Sequence, residues 1–192
     1  MKEKIQKAFS ESIAVKQQFV DRNVDTIIEV SKLLADTFTR GGKIILFGNG
    51  GSACDASHIA AEFVNRFMRE RPALPAIALN TDVAVLTSIA NDYDYADVFA
   101  RQVKALGQEG DVAIAISTSG RSPNIINAVT AAKKKKLKTV ALTGPKGDEL
   151  AARCDYVFTV PSGSTPRVQE THITLGHVLC QMVEEILFEA HR

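Results

Sequence analysis

Neither sign of charge is in excess: 23 Lys and Arg stand against 22 Asp and Glu, for a formal net charge of +1. A dedicated nucleic-acid binder carries a broad basic surface, so no nucleic-acid partner is expected, although a local patch stays open. No apolar run approaches the roughly 18 residues that a membrane span needs. The stretch 1–15 is charged and lacks the apolar core of about 7–15 residues that marks a secretory signal. A cytoplasmic protein with no membrane contact is expected. Cysteine is scarce too. Cys54, Cys154 and Cys180 are odd in number and far apart, with no zinc-knuckle spacing, and read as reduced thiols. Apolar residues at 45% and charged residues at 23% exclude a disordered tail, a collagen-like chain and a disulfide scaffold. The 192 residues suit one compact domain, since roughly 100–200 residues make one.

Helical and strand patterns then alternate along the chain. Residues 3–38 carry apolar positions at helical spacing, from Ile5 and Phe9 to Leu34 and Phe38. Asp21, Arg22 and Asn23 suggest a break into two helices, and Gly41–Gly42 a stop. Strands are expected at 43–47, 75–79, 111–116, 138–142 and 156–160. Helices are expected at 53–68, 82–106 with a break near Asn91–Asp92, 123–136, 147–152 and about 167–189. The strand runs lack a period of two, as strands buried on both faces do. The pattern predicts an α/β fold: a five-stranded parallel sheet flanked by helices, a flavodoxin-like three-layer sandwich with extra N-terminal helices. Residues 1–40 form the N-terminal helical segment and 41–192 the core domain. Ligands of such sheets bind beyond the carboxyl ends of the strands, which gathers the loops at 48–52, 80–82, 117–122 and 143–147 on one edge.

Two of those loops carry chemistry. Asn49, Gly50, Gly51 and Ser52 join a strand to a helix, where free N–H groups and the dipole favour an anion such as phosphate. The loop lacks the lysine of a Walker motif and the third glycine of a dinucleotide fingerprint, and a plain tight turn has the same composition. Ser117, Thr118, Ser119 and Ser122 surround Gly120 ahead of a helix that opens with Pro123. Hydroxyls and backbone amides there suit a phosphate; Ser122 also suits a simple helix cap. His58 and Glu62 share a helix face at i,i+4, a spacing open to a metal site or a solvated pair. Gln169 and His177 lie eight apart, roughly 80° around and 12 Å along a helix. His177 alone would also suit packing. Asn91–Asp92 suits a turn or sugar-hydroxyl contacts, Lys133–Lys136 a solvated helix end, and His172 and Glu170 supporting or surface places.

The segments GNGGSACDASHIAAEF (48–63), RPALPAIALN (71–80), IANDYDYADVF (89–99), GDVAIAISTSGRS (110–122), VALTG (140–144) and PRVQETHITLGH (166–177) together resemble the sugar isomerase (SIS) domain family, and within it the phosphoheptose isomerases. The resemblance covers nearly the whole chain. It implies conversion of sedoheptulose 7-phosphate to D-glycero-D-manno-heptose 7-phosphate through an enediol, the first step of ADP-heptose supply for lipopolysaccharide. It also implies one zinc per subunit, held by His58, Glu62, Gln169 and His177, with Glu62 and His177 transferring protons. Asn49, Gly50, Gly51, Ser52, Glu62, Asn91, Asp92, Ser117, Thr118, Ser119, Ser122 and Gln169 are implied to bind the phosphorylated sugar. A cytoplasmic homotetramer with active sites where subunits meet is implied as well. Some members carry an acid three residues before the glutamine; Pro166 stands there, which leaves Asp92 as the substitute. The competing resemblance is to the non-enzymatic SIS protein that associates with the replication initiator DnaA. That branch lacks the glutamate and histidine matching Glu62 and His177.

Overall fold

The structure is a computed structural model that describes residues 1–188. In chain order it contains α1 (Lys2–Thr39), β1 (Ile44–Gly48), α2 (Gly51–Val64), β2 (Ala76–Ala78), α3 (Val83–Asp92), a 3-10 turn (Tyr95–Asp97), α4 (Val98–Leu106), β3 (Val112–Ser117), α5 (Pro123–Lys134), β4 (Lys138–Thr143), α6 (Asp148–Ala151), β5 (Tyr156–Thr159) and α7 (Thr165–Phe188). All strand pairs are parallel, in the order β2-β1-β3-β4-β5. The expected five-stranded parallel sheet is therefore present.

Side chains alternate across each strand, and here both faces are covered. Ile44 and Leu46 of β1 join α1, α2 and α7 in one core, with Leu34, Phe63 and Leu179. Ile45 and Phe47 point the other way into a second core with α3, α4 and α5, including Phe99, Val103 and Ile125. Polar groups are thus driven to the strand ends. The order reverses direction between β1 and β3, so the loops after these two strands flank the switch point where such sheets bind ligands.

Three boundaries differ from expectation. The N-terminal region is one continuous 38-residue helix, not two. Asp21–Asn23 contain no proline or glycine to break it, the Gln17 amide donates to Asp21 Oδ1 at 2.7 Å, and Asn23 Nδ2 donates back to the Phe19 carbonyl at 2.7 Å. The helix ends at Thr39, before Gly41 at φ +76°. Second, α2 stops at Val64 rather than 68. The Arg71 guanidinium takes the carbonyls of Glu62, Phe63 and Asn65 at the helix end. Third, the break expected near Asn91–Asp92 falls just after them, where Asp94 caps the 3-10 turn by accepting from the Ala96 amide. The last residue expected in the terminal helix, 189, lies outside the described residues.

α2 and α7 run side by side. Gly51 faces Gln169, Ile59 faces Gly176, His58 faces His177, and the Phe67 amide reaches Glu184. The contacts advance together along both segments, so the two helices are parallel. A methyl group at Gly176 would sit 2.5 Å from Ile59 Cδ1 and 2.6 Å from its Cγ1, and Ile59 is only 2% exposed. Gly176→Ala should therefore lose stability. Overpacking costs about 1–3 kcal/mol, alanine's helical preference offsets about 1, and a net loss of about 1 kcal/mol is expected in urea unfolding. Pairing it with Ile59→Val should recover part of the loss.

Candidate active site

The loop after β1 turns tightly. Gly50 adopts φ +55°, and a side chain at Gly48 would strike the Ser52 backbone. Gly51 leaves room for a protein group: a methyl there would come 2.5 Å from Gln169 Nε2. Ser52 is buried. The Asn49 side chain exchanges two hydrogen bonds with buried Asn124 at 3.0 and 2.9 Å and accepts one from the Tyr95 hydroxyl at 3.2 Å. This reciprocal amide pair ties the first loop to the start of α5 and hence to the serine loop.

In the serine loop, Ser117 accepts from the Gly120 amide at 3.1 Å, and Ser119 from that of Arg121 at 3.3 Å. Gly120 has φ +62°. Ser122 precedes Pro123 at the N-cap, but its hydroxyl makes no capping bond, so the simple cap does not account for it. Beside the loop lies a cavity of about 230 Å³ lined by Thr118, Ser119, Arg121, Lys146, Ser162 and Thr165, among others. It contains two cations and no carboxylate. Arg121 and Lys146 were not singled out from the sequence, although both lie in loops, 117–122 and 143–147, expected on one edge of the sheet; their positive charge there was the signal that could have found them.

Across the α2–α7 contact, His58 Nε2 lies 3.1 Å from Glu62 Oε1 and 3.5 Å from His177 Nε2. One donor atom from each of the three lies within 4.8 Å of the others. The imidazoles meet edge to face, with centroids 5.0 Å apart and planes at 77°. Two imidazoles and a carboxylate converging this way suit a divalent transition metal such as zinc. Gln169 lies against Gly51, seven residues and roughly 10 Å along α2 from His58. Asn91 and Asp92 end α3, exposed and bonded to each other at 2.8 Å. Pro166 is exposed in the first turn of α7.

Two supporting residues carry shifted protonation. Asp55, one turn before His58, has a buried oxygen without a hydrogen-bond partner among the described residues. Burial raises its pKa to about 6, against the opposing pull of His58. His172 is wholly buried, with Nε2 3.3 Å from the Thr143 carbonyl at the end of β4. Its Nδ1 has no partner among the described residues, so Nε2 carries the proton. Burial lowers its pKa to about 4. Lys133 and Lys136 pair with Asp155 and Glu109, consistent with a solvated helix end.

Residues 9–144 match the SIS domain, and the chain belongs to that family of sugar isomerase domains. The phosphoheptose isomerase of Thermodesulfovibrio yellowstonii is 63% identical over 189 residues, spanning 98% of this chain and 94% of its own length. The structure of phosphoheptose isomerase from Neisseria gonorrhoeae is 42% identical, with a TM-score of 0.90 over 96% of this chain and 98% of that one. A Francisella tularensis phosphoheptose isomerase is 38% identical, with a TM-score of 0.92 over 95% and 97%.

His172 makes stability depend on pH. The unfolded imidazole titrates near 6.5 and the folded one near 4, so the unfolded state binds the extra proton between these values. Stability therefore falls as pH drops through that window, by about 3 kcal/mol for this group. In chelator-treated protein, His172→Gln, whose amide can still donate to Thr143, should flatten the pH dependence of urea unfolding between pH 6.5 and 4 relative to the unaltered chain.

Proposed function

We propose that this chain is a phosphoheptose isomerase, interconverting sedoheptulose 7-phosphate and D-glycero-D-manno-heptose 7-phosphate as the first step of ADP-heptose synthesis for lipopolysaccharide. The observation that carries the reading is the meeting of Glu62 and His177 with His58 across the α2–α7 contact, in a chain 63% identical to a phosphoheptose isomerase over nearly its full length. Moving a carbonyl from C2 to C1 requires a proton to leave C1 and another to arrive at C2. Glu62 takes the C1 proton as general base, and His177 manages protons on the two oxygens. Bound zinc, one per subunit, would polarise the carbonyl and hydroxyl oxygens. His58, Glu62 and His177 suit it as ligands; Gln169 as fourth ligand rests on the family resemblance.

Ser117, Thr118, Ser119 and Ser122 anchor the phosphate, with Arg121 and Lys146 supplying positive charge from the adjoining cavity. Remote binding of the phosphate holds C1 and C2 for proton transfer. Asn49, Gly50, Gly51, Ser52, Gln169, Asn91 and Asp92 are assigned to the sugar, with Asp92 taking the place of the acid that Pro166 lacks. The working form is a cytoplasmic homotetramer with sites at subunit interfaces. Its support is a second apolar stripe on α1: Ile5, Phe9 and Ile13 are 54%, 70% and 68% exposed, more than scattered surface residues require. No helix among the described residues is long and apolar enough to cross a membrane.

Purified protein incubated with sedoheptulose 7-phosphate should form the heptose 7-phosphate. Glu62→Gln and His177→Ala should each lower kcat by about 100-fold or more. Turnover surviving both changes would overturn these roles, and no turnover with or without zinc would overturn the isomerase reading. Light scattering should give the mass of four chains, and Phe9→Glu with Ile13→Glu should lower it.

A further inference from the structure

The segment between α2 and β2 carries the charged residues Arg66, Arg69, Glu70 and Arg71, and it is pinned by a buried ion pair. The side chains of Arg71 and Glu184 are 1% and 2% exposed and meet at 2.9 Å. Glu184 Oε1 also accepts from the Phe67 amide at 2.9 Å, and Oε2 from the amides of Met68 and Arg69 at 3.0 and 3.2 Å. Arg71 in turn donates to the carbonyls of Glu62, Phe63, Asn65 and Pro72. An isolated buried charge is costly, and a buried pair is tolerable when its remaining donors and acceptors are satisfied. Here one carboxylate and one guanidinium hold a whole loop by its backbone.

The loop delivers one side chain to the site. The Phe67 ring stacks on His177, with centroids 5.4 Å apart and planes at 29°. His58 meets the same imidazole edge to face. The His177 ring is therefore bordered on two sides, and its Nε2 faces His58 Nε2 at 3.5 Å.

We propose that Phe67 is a positioning residue for His177, and that the Arg71–Glu184 pair is the anchor that holds Phe67 in place. The proposal rests on the role given to His177 above. Phe67 supplies a flat apolar surface that removes the alternative ring rotamers of His177. It acts through His177 and need not touch the substrate. Misplacement of a reacting group by about 1 Å costs on the order of 100-fold in rate, so a loosened imidazole should be felt in kcat and not in phosphate binding. Metal affinity should fall as well, since groups that orient a ligand typically contribute about 10–100-fold.

Glu184→Gln would leave Arg71 buried without its counter-charge and should unfold the chain, so the test is made at Phe67, where substitution spares the backbone bonds to Glu184. Phe67→Leu and Phe67→Tyr are compared in the full chain, with thermal unfolding as the control for folding. Phe67→Leu should lower kcat about tenfold or more while KM for sedoheptulose 7-phosphate stays within about twofold. Zinc affinity, read by competition with a chelator, should weaken about tenfold. In metal-free protein labelled at histidine, the His177 ring-proton signal, assigned by its loss in His177→Gln, should lose the upfield displacement caused by the Phe67 ring. Phe67→Tyr should restore all three.

An unchanged His177 signal in Phe67→Leu would overturn the proposal, whatever happens to kcat. So would a displaced signal with wild-type kcat and zinc affinity. If the unaltered chain lacks turnover, the isomerase reading fails by itself; the ring signal and zinc affinity still decide whether Phe67 holds His177.

Discussion

The close approach of α2 and α7 is the constraint on which the site depends. Helix axes lie about 8–10 Å apart according to the side chains between them, and at Gly176 that side chain is a hydrogen atom. Ile59 fills the space. One residue further along α7 stands His177, and one residue before Ile59 stands His58. Two imidazoles from distant parts of the chain meet because the residues beside them permit contact. A parallel course keeps the rest in step: Gln169 at the first loop, Glu184 at the segment that follows α2.

The sheet provides the other half. The central strands β1 and β3 are buried along their whole length and hold no polar side chain before Ser117 at the carboxyl end of β3. Chemistry-bearing groups collect where the strands stop, at the switch point between β1 and β3. The Asn49–Asn124 pair joins the two loops that meet there. A buried amide pair satisfied in both directions avoids the cost of orphaned polar groups and fixes the distance between the glycine loop and the serine loop.

Buried polar groups around the site divide into two kinds. Arg71 and Glu184 satisfy one another and a length of backbone, and hydrogen bonds hold Glu184 below the usual carboxylate range despite its burial. Asp55 and His172 each retain a buried atom without a partner among the described residues, and burial shifts both toward their neutral forms. The first kind stiffens the surroundings of Glu62 and His177. The second ties stability to pH with opposite signs: His172 weakens the fold as pH falls through its window, and Asp55 weakens it as pH rises toward 6.

The local signals in the chain were enough for the strands, the glycine turns and the order of elements, because apolar runs buried on both faces and glycines at strand ends act through neighbouring residues alone. They also marked His58 with Glu62, since i,i+4 spacing is a property of one helix. Other features were settled elsewhere in space. α1 is continuous because Asp21–Asn23 are bonded within the helix, though their charge resembles a break. α2 ends at Val64 because a guanidinium seven residues later takes its last carbonyls, and that guanidinium is held by Glu184 on another helix. His172 is a core residue because α7 lays it on the end of β4. The pairing of His58 with His177 and the stacking of Phe67 on His177 both join residues far apart in sequence. Periodicity describes which way a side chain faces on its own element; only packing decides what it faces.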